Sequence, residues 1–143
     1  MQTSDLLQTT FKQDMSRAKL RLTRVRQEIF DLLSQADRPL SIQELVSASN
    51  RGHFVSIYRS IDAMHRAGIV KLVPQGFKNF FELSDTYKPH HHHATCEKCG
   101  SSLEIHSPEL EKLMKQLALE AGLKPTKHQF ELFGVCEACA DKG

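Results

Sequence analysis

The segment Ile69-Val-Lys-Leu-Val-Pro-Gln-Gly-Phe-Lys-Asn-Phe-Phe-Glu-Leu83 decides the architecture of the first half of the chain. Branched and aromatic residues dominate 69–73 and 77–83, which flank Pro74-Gln-Gly76. Two such runs joined by a short connection with proline and glycine are typical of a β-hairpin. The chain therefore changes from a helical to an extended pattern near residue 69.

Three helical patterns precede this hairpin. Thr23 is predicted to cap the first helix, and Ser41-Ile-Gln-Glu44 is a capping box that opens the second. Ser56 is predicted to cap the third helix, which runs to Ala67. Their predicted buried residues are Val25, Ile29, Leu32, Leu33, Ile42, Leu45, Val46, Ile57, Ile61 and Met64. Three helices followed by a hairpin predict a winged helix-turn-helix domain over residues 1–84.

The second half of the chain predicts a small α+β unit over residues 90–143, reached through a polar hinge at 85–89. Residues 101–105 and 128–133 predict strands, and Ser107-Pro108 opens a helix that runs to Ala121. A unit of this size buries little apolar surface of its own. Such units usually need a metal ion or a partner chain for stability.

Composition and charge limit the class of protein. The 143 residues carry a net charge of +2, divided into +4 over residues 1–71 and −2 over residues 72–143. No apolar run reaches the roughly 20 residues that span a bilayer, and the first ten residues lack the pattern of a secretory signal. We therefore expect a cytoplasmic protein, in which paired cysteines are first interpreted as metal ligands.

The cysteines form two Cys-x-x-Cys pairs, Cys96/Cys99 and Cys136/Cys139, with 36 residues between the pairs (136 − 99 − 1). A two-residue spacer lets both sulfurs of a pair reach one ion, and Zn²⁺ favours tetrahedral thiolate coordination. A redox dithiol is the alternative, but it requires only one such motif, at a strand-to-helix turn. The two pairs predict a structural zinc site.

Four consecutive histidines, His90-His-His-His93, lie just before the first cysteine pair. On an extended segment alternate side chains point to opposite faces, so His90 and His92 would serve one ion, and His91 and His93 another. Imidazole with carboxylate ligands suits zinc or iron(II); a solvated histidine run is the alternative. Candidate partners for these imidazoles are Glu82, Glu104, Glu111 and His128.

The third predicted helix carries a candidate DNA-contacting surface. Tyr58 and Arg59 lie off its buried stripe, and a phenol and a guanidinium suit phosphate and base-edge contacts in a major groove. An ordinary amphipathic helix with a solvated face has the same periodicity. Additional phosphate contacts are predicted for Arg21, Arg24 and Arg26, which are expected to lie ahead of the first core helix.

The ordered combination of these segments resembles the ferric uptake regulator (Fur) family from about Leu20 to Cys139. The matching segments are Leu22-Thr-Arg-Val-Arg26, Ser41-Ile-Gln-Glu44, Val55-Ser-Ile-Tyr-Arg59, Ala67-Gly-Ile-Val70, Phe81-Glu-Leu83, His90-His-His-His-Ala-Thr-Cys-Glu-Lys-Cys-Gly100, His128 and Gly134-Val-Cys-Glu-Ala-Cys139. The resemblance implies a metal-dependent transcriptional repressor of metal uptake or homeostasis genes. It also implies a homodimer on operator DNA, with residues 90–143 as the metal-binding dimerisation domain.

The resemblance further implies which residues serve each site. The structural zinc maps onto Cys96, Cys99, Cys136 and Cys139. A regulatory metal maps onto Glu82, His91, His93 and Glu104. A second metal maps onto His90, His92, Glu111 and His128. DNA contacts map onto Arg21, Ser56, Tyr58 and Arg59, with Ser56–Ala67 as the recognition helix.

Three positions depart from the family pattern. Pro39 stands where the family places a sensing histidine, and Ser84 stands where zinc-sensing relatives often place a cysteine. Thr23-Arg-Val-Arg26 replaces the usual Thr-Pro-Gln-Arg. The iron, zinc and peroxide subfamilies therefore stay open, and the regulatory metal is Zn²⁺ or Fe²⁺. His53 or His65 is an alternative ligand in place of Pro39.

Two other function classes compete with a metal sensor. A zinc hydrolase would need an open coordination position and a general base, and the sequence has no His-Glu-x-x-His pattern, so an enzyme is not expected. A zinc-stapled adaptor that binds a protein partner without sensing metal is the remaining alternative.

Overall fold

The structure, a computed structural model, describes residues 2–142. The elements in chain order are α1 (Gln2–Arg17), α2 (Arg24–Gln35), α3 (Ile42–Ala48), α4 (Phe54–Arg66), β1 (Val70–Gln75), β2 (Lys78–Leu83), β3 (His92–Cys96), β4 (Ser102–Ile105), α5 (Pro108–Glu120), β5 (Glu131–Gly134) and α6 (Glu137–Ala140). They form two compact units that divide between Pro89 and His90. The predicted α+β class is confirmed.

Local caps define the starts of α2 and α3 as the sequence predicts. The Thr23 hydroxyl accepts a hydrogen bond from the backbone N–H of Arg26 at 3.2 Å, at the start of α2. The capping box at α3 is complete: Glu44 N donates to Ser41 Oγ at 3.1 Å, and Ser41 N donates to Glu44 Oε2 at 2.8 Å. Both caps satisfy backbone N–H groups that have no partner inside the helix.

The predicted start of the third core helix is wrong. Helix α4 begins at Phe54 with His53 as its N-cap, and Ser56 lies inside the first turn. Ser56 Oγ accepts a hydrogen bond from His53 N and donates one to His53 O, each at 2.9 Å. Ser56 thus occupies the position that Glu or Gln takes in a capping box, where the side chain reaches back to the cap residue.

Helix α1, for which the sequence carries no clear prediction, is part of the core of the first unit. Phe11 is fully buried and its ring stacks on Phe30, with centroids 4.1 Å apart. Tyr87 packs edge-on against Phe30 at 5.3 Å, and its hydroxyl donates a hydrogen bond of 2.6 Å to Asp14 of α1. Burial and the adjacent Asp14 carboxylate raise the pKa of Tyr87 above its ordinary value. Residues 85–89, predicted as a hinge, therefore include a core residue of the first unit.

Strands β1 and β2 form an antiparallel hairpin that runs from the pair Val70↔Leu83 to the pair Gln75↔Lys78. Pro74, predicted in the turn, lies within β1. Proline has no backbone N–H to donate to a ladder, so strands accept it only at an edge, and β1 is an edge strand of this two-stranded sheet. Gly76, with φ +62°, provides the turn. Leu40 exchanges two backbone hydrogen bonds with Phe81, of 2.9 and 2.7 Å, and so fixes the hairpin to the segment before α3.

The second unit contains a three-stranded sheet in the order β4-β3-β5. Strand β4 pairs antiparallel with β3, and β5 pairs parallel with it. Strand β5 begins at Glu131, three residues later than the predicted 128–133, because residues 128–130 do not join the ladder. Helix α5 starts as predicted: Ser107 Oγ accepts from Leu110 N at 3.2 Å.

Much of the apolar surface of the second unit is exposed. Helix α5 has no buried residue, and Leu113 and Leu117 are 50% and 52% exposed. Other large apolar side chains exposed in this unit are Leu103, Leu119, Leu123, Leu132, Phe133 and Val135. None of the helices in the described part of the chain combines the length and the apolar character needed to cross a bilayer.

The buried contacts of α1 predict a measurable loss of stability. Phe11→Ala would remove a ring that is 0% exposed and should lower the free energy of unfolding by about 3–5 kcal/mol. Leu6→Ala on the same helix is the matched control, because Leu6 is 66% exposed. Chemical unfolding followed by far-UV circular dichroism measures both variants; equal small losses would contradict the placement of α1 in the core.

Candidate metal centres and DNA-contacting helix

The parallel pairing of β3 and β5 brings the two cysteine pairs together. Cys96 ends β3 and pairs in register with Gly134 of β5, two residues before Cys136. Cys96 Sγ accepts hydrogen bonds from Cys136 N at 3.4 Å and from Cys99 N at 3.5 Å. The four sulfurs, including that of Cys139, lie within 4.8 Å of one another.

The spacing of these sulfurs fits zinc. Cys99 Sγ and Cys136 Sγ are 3.8 Å apart, and a tetrahedron with zinc–sulfur bonds of about 2.3 Å places its sulfurs about 3.8 Å apart. All four cysteines are free thiols rather than disulfides. The backbone N–H groups of Cys136 and Cys99 lower the pKa of Cys96 to about 6. The hydrogen bond shared with Cys136, together with burial, raises the pKa of Cys139 to about 12, so a bound cation would displace protons here.

A second donor cluster joins β3 to the start of α5. Its members are His90, His92, Glu111 and His128, as the resemblance implies, and one ligand atom of each lies within 4.8 Å of the others. Glu111 Oε1 lies 2.5 Å from His92 Nε2, and Glu111 Oε2 lies 2.8 Å from His128 Nε2. Burial opposes ionisation of Glu111, but the hydrogen bond from His92 and the neighbouring imidazoles lower its pKa overall. Three imidazoles and one carboxylate form a donor set that suits zinc or iron(II).

Three of the four residues expected to hold a regulatory metal belong to the second unit. His93 pairs with Glu104 across β3 and β4, and the rings of His91 and His93 are 4.8 Å apart. His91 Nε2 lies 3.8 Å from Glu104 Oε1. The fourth residue, Glu82, belongs to β2 of the first unit, where its carboxylate lies 3.2 Å from Lys71 Nζ. Its participation stays a prediction.

Sequence reasoning missed two residues beside this set. His106 Nε2 lies 3.3 Å from Glu104 Oε2, and Glu131 Oε1 lies 3.4 Å from His93 Nδ1. The spacing Glu104-x-His106 at a strand end was an available signal, because residues two apart share a face. The proposed substitutes for Pro39 both lie in the first unit: His53 caps α4, and His65 Nδ1 lies 3.1 Å from the carbonyl oxygen of Val70.

Helix α4 presents Tyr58 and Arg59 to solvent, while Ile57 and Ile61 are buried. Ser56 is half-buried, and its hydroxyl bonds to the His53 backbone. Sequence reasoning missed the exposed side chains of Phe54 and Val55, each 55% exposed; Phe54 stacks on Tyr58 with ring centroids 6.4 Å apart.

The basic residues near the start of α2 are placed differently from the prediction. Arg21 is exposed ahead of α2, and its carbonyl oxygen accepts a hydrogen bond of 2.7 Å from the Arg26 guanidinium. Arg24 and Arg26 lie within the first turn of α2, not ahead of it. Arg26 is thus partly occupied by an internal contact.

The chain is similar in sequence to known proteins along most of its length. The sequence model of the ferric uptake regulator family matches residues 17–133. A ferric uptake regulation protein of Neisseria meningitidis is 32% identical over 130 residues, which cover 87% of this chain and 89% of that protein.

Two solved structures have the same fold. The Vibrio cholerae ferric uptake regulator, described with rearranged DNA-binding domains, is 28% identical with a TM-score of 0.73, covering 87% of this chain and 98% of that one. The Francisella tularensis ferric uptake regulator with iron is 26% identical with a TM-score of 0.72, covering 85% and 95%. Because the family match spans most of the chain, this protein belongs to the ferric uptake regulator family.

Proposed function

We propose that this protein is a metal-dependent repressor that binds operator DNA as a homodimer and controls genes of metal uptake or homeostasis. The observation that carries the proposal is the concentration of donor clusters around β3, in a chain whose other unit is a winged helix. A structural Zn²⁺ would be held by the four cysteines and a regulatory Zn²⁺ or Fe²⁺ by the His/Glu set. The solved relative from Francisella tularensis contains iron.

The regulatory ion would be held by Glu82 together with His91, His93 and Glu104. Glu82 belongs to the wing, and the other three residues belong to the second unit. Shared ligation would therefore restrict the orientations that the two units sample, which is a shift of population toward the form that binds DNA. In a dimer, that form would set two recognition helices about one DNA turn apart.

The DNA-contacting surface would be the N-terminal half of α4. Base contacts in helix-turn-helix proteins come from the N-terminal residues of the recognition helix, where Tyr58 and Arg59 are exposed. Arg21 would add a backbone contact from its position ahead of α2, because cations near the duplex release counterions.

The homodimer would form through the second unit. Its exposed apolar side chains on α5, β4 and β5 are more numerous than a small isolated unit normally leaves in water. A second copy of the same surface would cover them, because closed two-fold pairing is the commonest assembly of identical chains.

Loss of one cysteine ligand tests the structural zinc. Cys96→Ser should reduce bound zinc from one tightly held ion per chain to none and unfold the second unit, because small metal-stapled units depend on the ion for folding. Zinc is measured by release to a chromophoric chelator and folding by circular dichroism. Ala138→Ser, between Cys136 and Cys139, is the matched control and should retain the ion.

Apolar pairing of the second unit predicts a monomeric variant. Leu117→Glu should shift the protein from dimer to monomer, because it places a charge on the exposed apolar surface of α5. Sedimentation velocity measures the state. Lys115→Glu on the same helix introduces the same side chain, with a larger change in net charge (−2 against −1), at a position that is already charged, and it should remain dimeric. Dimers of both variants would contradict the proposed interface.

A titration of promoter DNA tests whether metal controls DNA binding. The protein is compared in three states: chelated, zinc-loaded and anaerobically loaded with iron(II). Fluorescence anisotropy should show tight binding only in a metal-loaded state, and His93→Ala should retain its fold but lose the metal response. Equal DNA binding in every metal state would contradict the proposed metal control.

Arg59→Ala separates the DNA surface from the metal control. It should weaken binding in the metal-loaded state at least tenfold, corresponding to about 1–3 kcal/mol for a base contact, with metal affinity unchanged. Arg66→Ala removes the same charge from the far end of α4, where Arg66 pairs with Asp62, and is the matched control.

A further inference from the structure

The register of β3 and β4 places a third imidazole beside the regulatory set. His93 lies opposite Glu104, and His92 lies opposite Ile105. Continued by one residue beyond the paired strands, this register would set His106 opposite His91. Opposed residues in an antiparallel pair share a face, as do residues two apart along one strand. His91, His93, Glu104 and His106 therefore lie on one face of the β3–β4 ribbon.

The distances link neighbouring members of this set in pairs. The Glu104 carboxylate lies between two imidazoles, with Oε2 3.3 Å from His106 Nε2 and Oε1 3.8 Å from His91 Nε2. The His91 ring centroid is 4.8 Å from that of His93 and 5.9 Å from that of His106. Tetrahedral zinc with bonds of about 2.0–2.1 Å holds its ligand atoms roughly 3.3–3.4 Å apart, close to the separations around Glu104.

Burial distinguishes this cluster from an ordinary surface pair. An exposed histidine–carboxylate pair contributes little to stability, and His106 is itself 54% exposed on its side chain. Its neighbours His91 and His93 are only 3% and 2% exposed. Buried imidazoles need polar partners, and two of them beside a carboxylate offer a preformed half of a metal site that an exposed histidine can complete.

Glu131 adds the support that a metal-binding histidine usually has. Its Oε1 lies 3.4 Å from His93 Nδ1, so Nε2 is the nitrogen directed to a metal. Histidine ligands commonly bond through their second ring nitrogen to a carboxylate, which fixes the ring and strengthens the ligand.

We propose that His106 is a ligand of the regulatory metal ion and completes, with His91, His93 and Glu104, a three-histidine, one-carboxylate set contained in the second unit. The inference rests on the proposed metal-dependent function. His106 would supply an imidazole in a chain that has Pro39 where the family places a sensing histidine. Glu82 would join this set from the wing. Divalent transition metals that accept imidazole, Zn²⁺ and Fe²⁺, are the ligand class.

A Co²⁺ titration of the full-length protein tests the proposal. The parent carries Glu111→Ala and His128→Ala, which disable the second cluster, and keeps zinc on its cysteines. Affinity is measured by competition with a chromophoric chelator, and coordination by the visible absorption of bound Co²⁺. His106→Ala added to this parent should weaken Co²⁺ binding at least tenfold and change the spectrum.

Matched variants exclude indirect effects. His106→Gln keeps a hydrogen-bonding side chain beside Glu104 but removes the imidazole, and should weaken binding as His106→Ala does. His53→Ala and His65→Ala should leave the affinity unchanged. Circular dichroism of both His106 variants should match that of the parent, since the His106 side chain is 54% exposed.

The outcomes separate this inference from the proposed function. Equal Co²⁺ affinity of the parent and of His106→Ala overturns the role of His106 alone. A loss of affinity in His53→Ala or His65→Ala, with His106→Ala unaffected, also overturns it. Absence of Co²⁺ binding by the parent overturns the regulatory site itself and with it the proposed metal response.

Discussion

The pairing of β3 with both of its neighbours is the constraint on which the second unit depends. Strand β3 is central in the order β4-β3-β5, and it carries or adjoins donors of all three clusters. Its alternation directs His92 toward Glu111 and His128, and His93 toward Glu104. Its last residue, Cys96, begins the cysteine cluster. A slip of one residue would reverse these faces and separate the donors.

The clusters explain how so small a unit can be ordered with few buried apolar residues. Helix α5 buries none of its side chains, and large apolar residues on β4 and β5 are exposed. Ligation of four thiolates contributes folding free energy directly, and pairing with a second copy would bury the apolar surface that remains. The closed cysteine shell would therefore serve stability, which leaves response to metal to the histidines.

The first unit has an ordinary apolar core that extends into the connection between the units. Phe11 of α1 stacks on Phe30 of α2, Tyr87 packs edge-on against Phe30, and the Tyr87 hydroxyl bonds to Asp14. Lys88 Nζ donates to the carbonyl oxygen of Ala36 at 3.2 Å. Residues 87 and 88 are thus fixed to the first unit. The wing that carries Glu82 and the start of the connection therefore belong to the same compact unit, and metal binding by Glu82 would act on both.

The sequence by itself determined the features that depend on neighbours along the chain. The caps at Thr23, Ser41 and Ser107, the hairpin after residue 69 and the alternation of the four histidines follow from local hydrogen bonding and periodicity. The Cys-x-x-Cys spacing likewise identifies a metal-binding unit. The family pattern extended this reading to Glu111 and His128, which the structure brings beside His90 and His92.

Only the tertiary structure decided which distant residues meet. Phe11 joins the core because α1 packs on Phe30 of α2. His106 lies beside Glu104, with its ring 5.9 Å from that of His91, because β3 and β4 pair antiparallel just before it. A strand does not encode its register locally: it is set by the pairing of both strands and the burial of one face, and these depend on the whole folded unit.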